Sequence, residues 1–213
     1  MIHRKYLFAS VLAIAVIVCI ALVSGNVPVR FSDTHNATLV IQEYNSWVQQ
    51  QKSVDNQVRF SLEQMGEHTG MFNAEIAKEN PDVNFLRENV ATDRQLIAKW
   101  GSETAQLDTL TTRFSETLEP LDLSGSPEGK EAAGLMLQDM KIYVIHMKNA
   151  QQHLVDYVNQ CDAYLGDTDP DYWNDNFRQA AMDAKTKAAG EISQGDEVLE
   201  ALSAAAQKLA GSQ

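Results

Sequence analysis

Residues 83–121 read VNFLRENVATDRQLIAKWGSETAQLDTLTTRFSETLEPL, with apolar side chains at Val83, Leu86, Val90, Ile97, Trp100, Leu107, Phe114, Leu118 and Leu121. The intervals are three, four or their sum, and Asp93, Thr104 and Thr111 stand at the missing beats. An α-helix turns once in 3.6 residues, so these positions fall on one face; sustained over about five heptads, that face is a coiled-coil-like seam. A seam of this length has to be covered by other helices. That requirement decides the fold.

Three more stretches carry the same period. Upstream, Ser32, Asp33 and Thr34 can cap a helix whose apolar positions include Val40, Tyr44, Trp47, Val54, Val58, Met65, Phe72 and Ile76. Asn80-Pro81 ends it, since proline disfavours helical geometry at the preceding residue and suits the first position of the next helix. Downstream, Ser124-Gly125-Ser126-Pro127 separates the quoted seam from a third one through Ala133, Leu137, Met140, Val144, Met147, Leu154, Val158, Cys161 and Leu165. Gly166 breaks this helix, and Asp169-Pro170-Asp171 opens a fourth, alanine-rich one through Phe177, Ala184, Ala188, Ile192, Leu199 and Leu202. Within it, Gly190 and Gly195 each cost about 1 kcal/mol of helix propensity relative to alanine.

The predicted helices cover residues 33–79, 81–121, 127–165 and 170–210. Stretches of about 40 residues make helices of about 60 Å, and connections this short demand antiparallel neighbours. The expected fold is all-α: an elongated up-down-up-down four-helix bundle, with paired hairpins that open or swap into a dimer as its rival. No alternating run of β-branched and aromatic residues signals a strand.

Ahead of the bundle, Tyr6 to Val23 is an uncharged, almost wholly apolar run preceded by Arg4 and Lys5. Eighteen helical residues span about 27 Å, near the thickness of a bilayer core, and the flanking charges favour an inside N-terminus. Residues 1–25 therefore read as a transmembrane anchor or signal helix, and 26–213 as an extracytoplasmic domain. The run exceeds the usual apolar stretch of a signal peptide, which favours a retained anchor; the alternative is secretion after cleavage near Gly25. Cys19 lacks the small preceding residues of a lipidated cysteine.

Charge narrows the partners. Removing Arg4 and Lys5 from the 17 basic residues leaves 15 against 29 acidic ones, a net charge of −14 from Asn26 onward. Nucleic-acid binding rests on neutralising phosphates, and no basic cluster supplies it, so nucleic acid is excluded as a partner. An anionic lipid surface is disfavoured by the same sign, leaving the N-terminal helix as the membrane contact. Cys161, the other cysteine, has no partner for an internal disulfide and falls on the third seam as a small core residue.

Catalytic signatures are missing. The residues three before His68, His146 and His153 are Met65, Tyr143 and Ala150, so the Glu-x-x-His pairing of di-metal bundles does not occur at these histidines. The Asp167, Asp169 and Asp171 run starts like a calcium loop but has Tyr172 where glycine belongs and Arg178 where the bidentate glutamate belongs. Glu63 and Glu67, one turn apart, read as a solvated face. Gly66 and Gly70 have small-xxx-small spacing, which in water-soluble sequence reads as a local bend or a tight helix crossing. Asn36-Ala37-Thr38 is an N-glycosylation sequon with Asn36 as acceptor.

One stripe stands out. Tyr143, His146, Ala150, His153, Tyr157 and Tyr164 run beside the third seam, about 90° from its centre. Tyrosine and histidine bury a ring while keeping a polar tip wet, which suits core packing, a cleft wall or a partner surface. Tyr143, His146, His153 and Tyr157 are the candidate ligand-binding residues. The expected role is a membrane-anchored interaction or structural module, not an enzyme, with no cofactor or metal and with a protein partner or self-association. The alternative is a sensor-like ligand-binding bundle. In general architecture alone such a bundle resembles the extracytoplasmic domains of chemoreceptors; with no second apolar span in the sequence, its signal would pass through a partner protein.

Overall fold

The computed structural model describes residues 34–120, 127–166 and 174–211. The apolar run, the Asp167 to Asp171 stretch and the side chain of Asn36 lie outside the described residues. Those described are all-helical, with four helices and no strand: α1 (Thr34–Ile76), α2 (Val83–Leu118), α3 (Pro127–Tyr164) and α4 (Asp175–Gly211). Among them, no helix is long and apolar enough to cross a membrane.

The helix ends have identifiable chemistry. Proline was expected to open α2; instead Asp82 caps it, its Oδ1 accepting the N–H groups of Asn84 at 3.0 Å and Phe85 at 3.1 Å. Glu75, in the last turn of α1, accepts the Asp82 N–H at 2.8 Å and pairs with Lys78 at 2.5 Å. These bonds hold its carboxyl below the usual range, the Asp82 N–H contributing most. They also fix the α1–α2 turn. At the start of α4, Asn174 accepts the Asn176 N–H at 2.9 Å, so the cap lies beyond the expected Asp169.

The chain divides into two compact units, each drawing a segment from all four helices. In the unit formed by residues up to 50, 107–145 and 194 onward, the aromatics Tyr44, Trp47, Phe114 and Tyr143 are buried among aliphatic side chains. Trp47 meets Tyr143 edge-on, with centroids 5.9 Å apart and planes at 70°, and its Nε1 donates to Thr111 Oγ1 at 2.8 Å. Tyr44 tilts against Phe114 at 6.4 Å, and burial pushes its phenol up to about 12. The Arg113–Glu43 pair joins α2 to α1 at 2.5 Å.

In the unit formed by 51–106 and 146–193, Leu86, Val90, Ile97 and Trp100 from α2 are buried, as are Met147, Leu154 and Val158 from α3. Burying one such side chain contributes about 1.5–3 kcal/mol. Ala181, Ala184 and Ala188 form the buried line of α4. Gly66 and Gly70 have open space where a Cβ would stand, so the expected tight crossing does not occur there. Close packing of that kind falls instead at Gly101, where an added Cβ would strike the Gln151 side chain.

Candidate functional site

The second unit buries several polar side chains, Gln57, Ser61 and Thr104 among them, and one polar cluster joins its helices. His68 replaces an apolar beat between Met65 and Phe72 on α1, and Asp93 does the same between Val90 and Ile97 on α2. The two meet, His68 Nδ1 lying 2.5 Å from Asp93 Oδ1. Burial raises the Asp93 carboxyl above its ordinary range, partly offset by the His68 hydrogen bond.

One residue along α1, Thr69 collects three hydrogen bonds. Its hydroxyl donates to the Met65 carbonyl at 2.6 Å, while Lys185 Nζ reaches Thr69 Oγ1 at 2.9 Å and Tyr157 Oη stands 3.3 Å away. A threonine hydroxyl has one proton, and the Met65 carbonyl takes it. Thr69 therefore accepts from both Lys185 and Tyr157. The ammonium of Lys185 also lies 5.7 Å from the centroid of the Tyr157 ring, a cation–π contact. Burial lowers the Lys185 pKa, and the field of Asp93 opposes that shift. Burial likewise raises the Tyr157 phenol and pushes the Cys161 thiol up to about 12, which leaves that thiol protonated and unreactive near neutrality.

Beside Thr69 and Tyr157 is a small cavity of about 30 Å³. Three helices line it, each through residues at helical spacing. From α1 come Thr69, Phe72 and Asn73; from α3, Tyr157, Cys161 and Tyr164. The α4 wall is Arg178, Ala181 and Met182. Phe72 and Tyr164 tilt together at 6.1 Å, and Arg178 Nη2 donates to Asn73 Oδ1 at 3.1 Å. One water needs about 10–15 Å³ measured in this way, so the space has room for two or three waters.

The four candidate residues of α3 have different surroundings. Tyr143, 0% exposed, belongs to the first unit, packed on Trp47. His146 pairs with Glu191 of α4 at 2.7 Å, and Asn149 donates to the same oxygen at 3.3 Å. These contacts lower the Glu191 pKa, the His146 bond most. His153 Nδ1 lies 4.0 Å from Asp156 Oδ2, one turn along its own helix. Of the four, Tyr157 lines the cavity and the other three do not. Among the described residues, no group of three or more His, Cys, Asp or Glu could hold a metal ion.

Sequence pattern alone does not single out Thr69, Asn73 or Lys185, and it meets Arg178 only as the residue that breaks the calcium-loop pattern. The polar interruption of the α1 seam at positions 68 and 69 was the available signal. No protein-family model, curated protein or solved structure matches the chain.

Proposed function

We propose that the chain is a membrane-anchored, extracytoplasmic, elongated up-down-up-down bundle serving as an interaction or structural module without catalytic activity. Its carrying observation is the use of helix-three and seam histidines as cross-helix pairs: His146 with Glu191, His68 with Asp93. These imidazoles and carboxylates are engaged in joining helices. The antiparallel course of α1 and α2 is supported by their contacts, because Ser53 bonds Glu103 while the later His68 bonds the earlier Asp93. Attachment rests on the apolar run from Tyr6 to Val23.

The experiment is expression of the full chain with a C-terminal tag, followed by membrane fractionation and protease treatment of intact cells. The expected chain sediments with membranes, resists alkaline extraction and loses its tag to external protease. A tag protected until lysis would reject the topology, and turnover on a substrate panel would reject the module. A second reading, a sensor-like bundle acting through a partner protein, is favoured by the cavity beside Tyr157.

A further inference from the structure

Thr104 and Thr111 stand seven residues apart on the buried face of α2, and their surroundings use the same residue types in a different order. Around Thr111, in the first unit, α1 supplies an indole, Trp47, and the residue one turn back on α2 is aliphatic, Leu107. In the second unit the indole has changed helices. Val54 stands seven residues after Trp47 on α1, and the residue one turn before Thr104 on α2 is Trp100. The Ser53–Glu103 bond, at 2.9 Å, brings this part of α1 level with this part of α2. Val54 and Trp100 are both 0% exposed and Thr104 is 1% exposed.

That exchange alters the hydrogen bonding. Thr111 accepts the Trp47 N–H at 2.8 Å and donates its own proton to the Leu107 carbonyl at 2.9 Å, so indole and hydroxyl are both satisfied. Trp100 Nε1 and Thr104 Oγ1 are buried, and neither has a hydrogen-bond partner in the protein. Valine at 54 has none to offer. A donor and an acceptor hidden from bulk solvent each carry a desolvation cost, and protein interiors satisfy such groups with ordered water. One helical turn separates the two residues, about 6 Å along the axis, a span that two hydrogen bonds in series through one water cover.

We infer that the second unit encloses a binding site for one water molecule, whose oxygen accepts the Trp100 indole N–H and one of whose protons goes to Thr104 Oγ1. The site goes beyond the interaction-module reading and stands apart from the cavity beside Tyr157, whose lining includes neither residue. One N–H and one hydroxyl give an ion neither counter-charge nor a full ligand set, so the occupant is neutral water. It ties tryptophan to threonine in the second unit as the direct Trp47–Thr111 bond does in the first.

The indole N–H groups are the probe. The full chain, purified in a neutral detergent with ¹⁵N-labelled tryptophan, is examined for nuclear Overhauser effects between water and each indole proton, Trp100→Phe assigning the signal of Trp100. Trp100 is expected to show a cross-peak of the sign that marks a long-lived water, and Trp47, already bonded to Thr111, to show none. Thr104→Ser should keep the Trp100 cross-peak and Thr104→Val should lose it. Circular dichroism checks the fold of each variant, and the comparison of Trp100 with Trp47 in the parent stands without them. No cross-peak at Trp100, or one undiminished in Thr104→Val, would overturn the site. So would an equal cross-peak at Trp47, which would mark magnetisation relayed through a threonine hydroxyl.

Discussion

Replacing Thr111 by valine isolates one buried hydrogen bond at nearly constant shape. Trp47 is 1% exposed and Thr111 3%, and the indole N–H of the first donates to the hydroxyl of the second at 2.8 Å. Thr111→Val leaves that N–H with no acceptor and no access to water, which costs about 1–3 kcal/mol. The methyl that replaces the hydroxyl returns up to about 0.8 kcal/mol through added apolar burial. The hydroxyl's own bond to the Leu107 carbonyl, at 2.9 Å, is lost, and that oxygen keeps its helical partner. The net expectation is a loss of about 1–2 kcal/mol. In a Trp47→Phe background no indole N–H remains to be orphaned, so the same valine should cost almost nothing, and the double-mutant cycle should return a coupling of about 1–2 kcal/mol. Urea unfolding of the four proteins followed by far-ultraviolet circular dichroism measures it. Thr111→Val as stable as the parent, or an equal penalty in both backgrounds, would refute the reasoning.

Three other outcomes follow from the geometry. Gly66→Ala, Gly70→Ala and Gly190→Ala, all with open space at the Cβ position, should each raise stability by up to about 1 kcal/mol in urea melts, whereas Gly101→Ala displaces Gln151 and should gain less. Asp93 has a raised carboxyl, so its contribution to stability is full below the ordinary carboxylate range and is lost as pH rises through the folded value. The stability of Asp93→Asn relative to the parent should therefore increase with pH across that window, as paired melts from pH 3 to pH 7 would record; a constant difference would contradict it. Cys161 is buried and pushed up to about 12, so in a Cys19→Ser background a thiol reagent at about pH 8 should modify it slowly until urea unfolds the chain.

How much of this was legible depends on whether a feature is local. The α2 seam was, because a period of 3.6 is a property of one helix: Leu86, Val90, Ile97, Trp100, Leu107 and Phe114 are all buried. Even the interrupting residues could be placed, since Asp93, Thr104 and Thr111 lie on that same face and are buried too. Their partners could not. Thr111 is 64 residues from Trp47 and Asp93 is 25 from His68, and nothing in either period fixes how far one helix slides or rotates against another. The spacing of Gly66 and Gly70 shows the same gap, for it places both on one face without saying that this face meets solvent.

The aromatic stripe of α3 meets different neighbours along its length for a related reason. Its members were correctly aligned along one helix, yet function is set by what stands opposite each of them. Tyr143 faces Trp47, His146 faces Glu191, and Tyr157 alone of the four candidates faces a space. That space exists because Thr69 and Asn73 on α1 and Arg178 and Ala181 on α4 reach the same level as Tyr157 and Cys161. Three unremarkable triplets, each at ordinary helical spacing, become one site only when the register of three helices brings them level. A cavity lined from three helices is thus a property of inter-helix register, and substitutions that shift that register should disturb it without touching any residue in its wall.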